Sequence, residues 1–162
     1  MTPPARSPLG WLRRWLPLLP VLAVAQLVFF LETRARYLFL LAGRSYAFLF
    51  EDAMISMRYA YDLAHGDGWV FDPGERVQGY TNLGWTLLMA AAHIVEPSLE
   101  WAALPVLAVG FLCHATLVVV FFFLARPLGA WPSLLAAFLV GLNGSVLLWG
   151  AQAWKPRSWP FS

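Results

Sequence analysis

The chain has 162 residues, of which 60% are hydrophobic and 12% are charged. The charged share is about half of what soluble domains carry, so the composition excludes an ordinary soluble domain and indicates a membrane protein. The net charge of +2 is too small to indicate a nucleic-acid-binding protein, and the single cysteine excludes a disulfide framework or a thiolate metal site.

The first predicted element is a transmembrane helix over residues 15–31. This run of 17 residues carries no charge, and its length is at the lower end of what spans a bilayer core. Charged residues follow it in place of a cleavage motif, so we expect a retained helix rather than a signal peptide. The next apolar run, residues 37–50, is short and interrupted by Gly43 and Arg44, and we expect an interfacial helix there.

The longest polar stretch, residues 51–82, follows, and we name it the polar island. Seven of the nine acidic residues lie between positions 32 and 75. Apolar side chains recur in the island at helical spacing, which predicts an amphipathic helix along the membrane surface, ending at Gly66. A type II turn is expected over residues 72–75. The predicted apolar stripe consists of Phe50, Met54, Met57, Tyr61 and Ala64.

Three more apolar runs predict transmembrane helices at about 80–95, 101–125 and 131–149. With the first helix, they predict an all-α membrane protein with about four transmembrane helices and one long loop, residues 32–79. Lys and Arg are equally numerous on both sides of the first helix, so charge alone does not orient the chain. His114 lies inside a span and is either a functional group or a neutral histidine hydrogen-bonded between helices.

The polar island carries a pattern of residues that resembles one protein family. An acid is followed by Asp-Ala-x-Ile-Ser-x-Arg-Tyr-Ala, then by a Gly-rich elbow, then by Val-Phe-x-Pro-Gly-Glu-Arg-Val-x-Gly-Tyr-Thr-Asn. This pattern resembles the polytopic membrane glycosyltransferases of the GT-C class, and most of all the bacterial mannosyltransferase-like and arabinofuranosyltransferase-like proteins. The resemblance covers residues 15–150, and its specific part is the island.

The resemblance implies a multi-pass enzyme of the bacterial inner (cytoplasmic) membrane. Such an enzyme moves a sugar from a polyprenyl-phosphate donor to a glycan or lipid acceptor on the extracytoplasmic side. It also implies a cytoplasmic N-terminus and an island outside the cell. Residues 1–150 would then be the N-terminal part of a GT-C transmembrane domain.

The composition changes abruptly after Gly150, where a smooth apolar run gives way to Lys, Arg and Pro. One back-translation of residues 151–162, read in a neighbouring frame, resembles the segment with which the GT-C family continues. We therefore expect residues 151–162 to be a frameshifted tail that truncates a longer enzyme and leaves this fragment inactive.

Two carboxylates stand where the resemblance implies an acidic catalytic motif. Asp52 is expected to deprotonate the acceptor hydroxyl, with Glu51 as its partner or alternate. The alternative is that the pair stabilises the first turn of a helix, where acids are favoured. Asp52 is also a candidate ligand for Mg²⁺ or Mn²⁺, because these cations prefer oxygen ligands and would bridge to the donor phosphate.

Arg58 and Arg76 are the candidate phosphate ligands, because a guanidinium offers paired donors to phosphate. The alternatives are an i,i+4 pair of Arg58 with Asp62 and a salt bridge of Arg76 within the turn. Polar side chains where the island re-enters the membrane would line a sugar pocket, and an interfacial tyrosine and a helix-capping asparagine are equally open. These side chains are Tyr80, Thr81 and Asn82.

A hypothesis from a different class is a non-enzymatic polytopic protein, such as a transporter subunit or an assembly partner. Transporters place polar or broken helices near the middle of the bilayer. This sequence instead concentrates its charge in the island, which favours the enzyme.

Overall fold

The structure is a computed structural model that describes residues 15–41, 44–47, 49, 51–72, 74, 79, 82–96, 98–99 and 101–150. Its elements are, in order, α1 (Leu18–Tyr37), β1 (Leu38–Leu41), β2 (Arg44–Ala47), α2 (Glu51–His65), α3 (Leu83–Val95), α4 (Ala103–Leu124), a 3₁₀ turn (Arg126–Leu128), α5 (Ala130–Gly141) and α6 (Gly144–Gly150). The described residues form two compact units, one within 15–31 and 111–150 and the other within 32–110.

Two helical stretches are long and apolar enough to cross a membrane, Leu18–Ala35 and Ala103–Leu128. Only 17% of the first stretch and 22% of the second are buried within the protein, so most of their apolar side chains face outward, as a hydrocarbon surrounding favours. Helices α3 and α5 have 13 and 12 residues. They rise about 20 Å and 18 Å, less than a bilayer core of about 30 Å. Two of the four expected spans are therefore long enough.

The interfacial helix expected over residues 37–50 is wrong, because this stretch contains a β-hairpin. β1 and β2 are antiparallel, with Leu38 opposite Ala47 and Leu41 opposite Arg44. Two residues connect the strands, which is the length that tight hairpins use. A short apolar run has too little periodicity to separate strand from helix. Helix α1 also continues past its expected end at 31 to Tyr37, since Glu and Arg are good helix formers.

The apolar run expected to form one span over residues 131–149 is divided into two helices. Asn143 Oδ1 accepts the backbone N–H of Ser145 at 2.9 Å and of Val146 at 3.1 Å. The asparagine side chain therefore caps the start of α6 and provides a local alternative to a continuous helix. Asn143, the polar residue inside this run, therefore marks the start of α6 and does not form part of a continuous span.

Helices α1, α4 and α5 meet most closely at Gly141. A Cβ atom on Gly141 would lie 2.7 Å from the Cβ of Ala25 and 3.2 Å from a methyl group of Val118. Only glycine permits this approach, which is typical of helix contacts in membranes. The buried residues around the contact are Leu18, Ala25, Val118, Phe122 and Ala137.

His114 is hydrogen-bonded through both ring nitrogens. Its Nε2 lies 3.2 Å from the carbonyl oxygen of Gly141, and its Nδ1 lies 2.9 Å from Nε2 of Gln26. Because a carbonyl only accepts, Nε2 carries the hydrogen and Nδ1 accepts from the amide. The ring also stacks on Phe29, with centroids 4.8 Å apart. Of the two alternatives for His114, the structure has the neutral histidine bonded between helices.

We expect Gly141→Ala to destabilise the chain by about 1–3 kcal/mol, the usual cost of overpacking. The control is Gly144→Ala, where nothing lies within 4 Å of the added Cβ. Both changes add the same helix propensity, so the difference in thermal midpoint, measured by circular dichroism in detergent, isolates the clash. Equal midpoints for the two variants would contradict the close contact.

We expect Gln26→Leu to destabilise the chain by about 1 kcal/mol, because His114 Nδ1 then loses its donor while staying buried. The double variant Gln26→Leu/His114→Phe removes both partners. It should be less destabilised than the sum of the two single variants in a double-mutant cycle. Strict additivity of the unfolding free energies would show that the bond is not made.

Candidate functional site

The polar island is organised around α2, and the helix predicted there is present. Gly66 follows its last residue with a φ of 91°, the left-handed conformation that was expected to end it. Gly74 has a φ of 101°, as the third position of a type II turn requires. Both glycines therefore have the backbone conformation that the sequence predicted for them.

Helix α2 has buried side chains around more of its circumference than we would expect of a surface helix with a single apolar stripe. The buried positions span about 220° at 100° per residue. Met57 of the expected stripe is buried, but Met54 is 38% exposed. Ser56 and Tyr59, which lie off the expected stripe, are buried too, so the stripe alone is not the packing surface. The buried residues are Ser56, Met57, Tyr59, Ala60 and Asp62.

The face of α2 that carries Met57 and Ala60 packs against α3. Its neighbours include Met89 and Ala92, and Val106 closes the same core. Small alanine side chains on both helices let the backbones approach, while the flexible methionines fill the remaining space. This contact fixes α2, and with it the acidic residues of its first turn, on an apolar helix.

Arg58 connects α2 to the Gly-rich elbow that follows it, residues 66–72. Its Nε donates to the carbonyl of Phe71 at 3.0 Å and lies 3.5 Å from Asp62 Oδ2, while Nη2 lies 3.6 Å from Asp72 Oδ1. The guanidinium also lies 5.6 Å from the ring centre of Tyr61. The i,i+4 pair between Arg58 and Asp62 is therefore present. The carboxylate of this pair is buried, with 2% of the Asp62 side chain exposed.

This arrangement bears on the expected phosphate role of Arg58. Two carboxylates, Asp62 and Asp72, face a single guanidinium, so the local charge is negative and weakens the attraction for an anion. A phosphate at Arg58 would compete with both carboxylates. The phosphate role therefore stays a prediction, and the pairing supports the structural alternative.

The other predicted site residues are less completely described. Glu51 and Asp52 form the first turn of α2, and their side chains lie outside the described residues. Asn82 is exposed directly before α3, and its side chain makes no capping bond. Its carbonyl instead accepts the backbone N–H and the hydroxyl of Thr86, at 2.9 Å and 3.0 Å. The candidates that lie wholly outside the described residues are Arg76, Tyr80 and Thr81.

Helix geometry separates two of the predicted roles. Positions 52 and 58 lie about 120° apart around the axis of α2. Position 52 shares its side of the helix with Ser56 and Tyr59, and Arg58 lies on another side. Within the described part of the chain, no three His, Cys, Asp or Glu side chains are grouped to hold a metal ion. The Mg²⁺ or Mn²⁺ site at Asp52 stays a prediction.

A pocket of about 130 Å³ lies beside Arg58 in the second unit. Most of its wall is apolar and comes from β2, α2 and α4 with the segment before it, and Met54, Met57 and Leu99 are among its lining residues. Its polar members are Arg58, Tyr61 and His93. The sequence carries no clear signal for this pocket, because His93 falls near the end of an apolar run and Tyr61 fits the apolar stripe.

Tyr61 and His93 line this pocket, and the exposed His65 contacts Tyr61 from outside it. Tyr61 meets His93 edge-on, with centroids 5.4 Å apart, and lies 4.0 Å from the ring of His65. His65 Nδ1 donates to the carbonyl of Tyr61 at 2.8 Å. Tyr61 is therefore held between two histidines, one exposed and one buried.

The segment between α3 and α4 is held by a local bond. Glu96 Oε1 accepts from the Ser98 hydroxyl at 2.6 Å and from the Ser98 N–H at 3.2 Å. These bonds favour the charged carboxylate and hold the pKa of Glu96 below its usual value, the hydroxyl contributing most. The Ser98 carbonyl accepts the N–H of Ala102 at 3.0 Å, which leads the chain into α4.

Comparison of the chain with protein-family models, with curated proteins and with solved structures gives no match. The fold defines the class as a helical protein with two helices long and apolar enough to cross a membrane. The glycosyltransferase resemblance rests on the residues of the polar island alone.

We expect Arg58→Met to loosen the elbow over residues 66–72, because it removes the bond to Phe71 and leaves the buried Asp62 carboxylate without its cation. Amide hydrogen exchange of these residues, followed by mass spectrometry, should speed up at least tenfold, about 1.4 kcal/mol.

Asp72→Asn is the matched control, since the Asp72 side chain is 61% exposed and an exposed pair contributes about 0–1 kcal/mol. Unchanged exchange in Arg58→Met would show that Arg58 does not hold the elbow.

Proposed function

We propose that the chain belongs to a membrane glycosyltransferase that transfers a sugar from a polyprenyl-phosphate donor to an acceptor outside the bacterial inner membrane. The observation that carries this proposal is the folding of the island motif. Its acid pair starts a helix that is packed against apolar α3. Two helices of membrane-crossing length support a membrane protein that would meet lipid substrates.

The proposed reaction is a direct displacement at the anomeric carbon. The acceptor oxygen forms the new bond to that carbon, and the bond from carbon to the phosphate oxygen breaks. Polyprenyl phosphate leaves with the electron pair, and the acceptor proton passes to Asp52. The N-terminal end of α2 supports a charged carboxylate at this position, because the helix dipole is positive there. Glu51, its neighbour, is the alternate base.

The departing phosphate needs a positive partner in this mechanism. Arg58 faces two carboxylates, so Arg76 or a Mg²⁺ or Mn²⁺ ion held by Asp52 is the better candidate. Tyr80, Thr81 and Asn82 would offer hydrogen bonds to the sugar hydroxyls.

A non-enzymatic polytopic protein is the second candidate, and two observations favour it. Arg58 is paired with two carboxylates of the protein, as in a structural element. The apolar run over residues 131–149 is broken at Asn143, and broken helices are a feature of transporters.

Asp52→Asn separates the two candidates. We expect it to lower sugar transfer by about 10²–10⁴-fold, the usual contribution of a general base. The change is made in a full-length version of the proposed enzyme, because the 162-residue fragment is expected to be inactive. Transfer is assayed in membranes, with polyprenyl-phosphate [¹⁴C]mannose and [¹⁴C]arabinofuranose as donors.

The control is Asp67→Asn, which makes the same charge change at an exposed residue of the elbow and should leave transfer unchanged. Transfer by the full-length version that is indifferent to Asp52→Asn, or absent from the unaltered full-length version with both donors, would support the non-enzymatic candidate.

A further inference from the structure

His93 is the least satisfied polar side chain of the pocket described above. It is 4% exposed, and neither ring nitrogen has a hydrogen-bond partner among the described residues. The carbonyl of Met57 is close enough to attract one ring N–H, but the contact falls short of hydrogen-bond geometry. A buried polar group in this state is unfavourable, and a ligand is one means of satisfying it.

The chemistry of the His93 imidazole defines which hydrogen-bond partner it lacks. An imidazole enclosed by protein, with no carboxylate bonded to it among the described residues, is neutral, so one nitrogen donates and the other accepts. The nitrogen nearest to Met57 is the donor, because a carbonyl only accepts. The other nitrogen therefore needs a hydrogen-bond donor, which His93 does not find in the described protein.

The rest of the pocket limits the size and polarity of the ligand. A volume of about 130 Å³ is close to that of an engineered protein cavity of about 150 Å³ that holds benzene, so about six carbon atoms fit. Met54, Met57 and Leu99 supply an apolar wall. The carboxylates that face Arg58 make the charged side of the pocket unfavourable for an anion.

We propose that this pocket binds the alcohol end of a neutral amphiphile, whose hydroxyl donates to His93 and whose first six or so carbons pack on Met54, Met57 and Leu99. Because both ring nitrogens are buried, this binding requires the imidazole to turn so that its accepting nitrogen reaches the pocket. A chain with two helices of membrane-crossing length meets such molecules in the lipid phase. The site requires neither the sugar donor nor Asp52, so it stands apart from the proposed glycosyl transfer.

The test compares four probes of similar size added to the full chain in detergent. They are 1-hexanol, methyl pentyl ether, hexyl phosphate and hexane, compared at equal mole fraction in the micelle. With ¹⁵N-labelled histidine, 1-hexanol should shift the NMR resonance of the accepting ring nitrogen of His93, and the shift should saturate as 1-hexanol is added. With ¹³C-methyl methionine, the signals of Met54 and Met57 report occupancy. Methyl pentyl ether has as many carbon and oxygen atoms as 1-hexanol but donates no hydrogen bond, and we expect it to bind at least tenfold more weakly.

His93→Phe keeps a ring of similar size and should abolish the preference for 1-hexanol over the ether. His65→Phe changes the exposed histidine outside the pocket and should retain that preference. The two variants are compared only if their methionine methyl spectra match that of the unaltered chain. If either variant is misfolded, the ¹⁵N measurement on the unaltered chain decides the test. Equal binding of 1-hexanol and ether, tighter binding of hexyl phosphate, or no saturable shift with any probe would overturn the proposal.

Discussion

The buried carboxylate of Asp62 places the strongest constraint on the polar island. A charge shut away from water has to be paired, and the partner within reach is Arg58, one helical turn earlier. The same guanidinium binds the Phe71 carbonyl, so pairing one buried charge also fixes the elbow against α2. The island is thus built around an internal ion pair, and its external chemistry must use other residues.

Two buried histidines show how surroundings set the role of a residue type. His114 finds a donor in Gln26 and an acceptor in Gly141, so its polar groups are fully used in holding helices together. His93 is as deeply buried, at 4% exposed against 3%, yet its nitrogens have no such partners among the described residues. Burial alone does not distinguish a structural histidine from a binding one. The count of satisfied donors and acceptors does.

Sequence periodicity predicted the elements whose signals are local. The end of α2 at Gly66 and the two long apolar helices follow from residue type and length. The hairpin of β1 and β2 and the break at Asn143 did not, because both lie inside apolar runs where helix and strand patterns coincide. The burial of Ser56 and Tyr59 depends on tertiary packing that no helical stripe encodes. The pocket at His93 was missed for the same reason, since its wall combines residues from distant parts of the chain.

The geometry of α2 also constrains any enzymatic interpretation of the island. A base at position 52 and a cation at position 58 leave the helix about 120° apart, and the cation is already bonded to the protein. The two positions therefore do not share one face of α2. Under the proposed mechanism, the departing phosphate needs a cation other than Arg58, because Arg58 is already paired with Asp62. Arg76 or a metal ion at Asp52 is the candidate for that role.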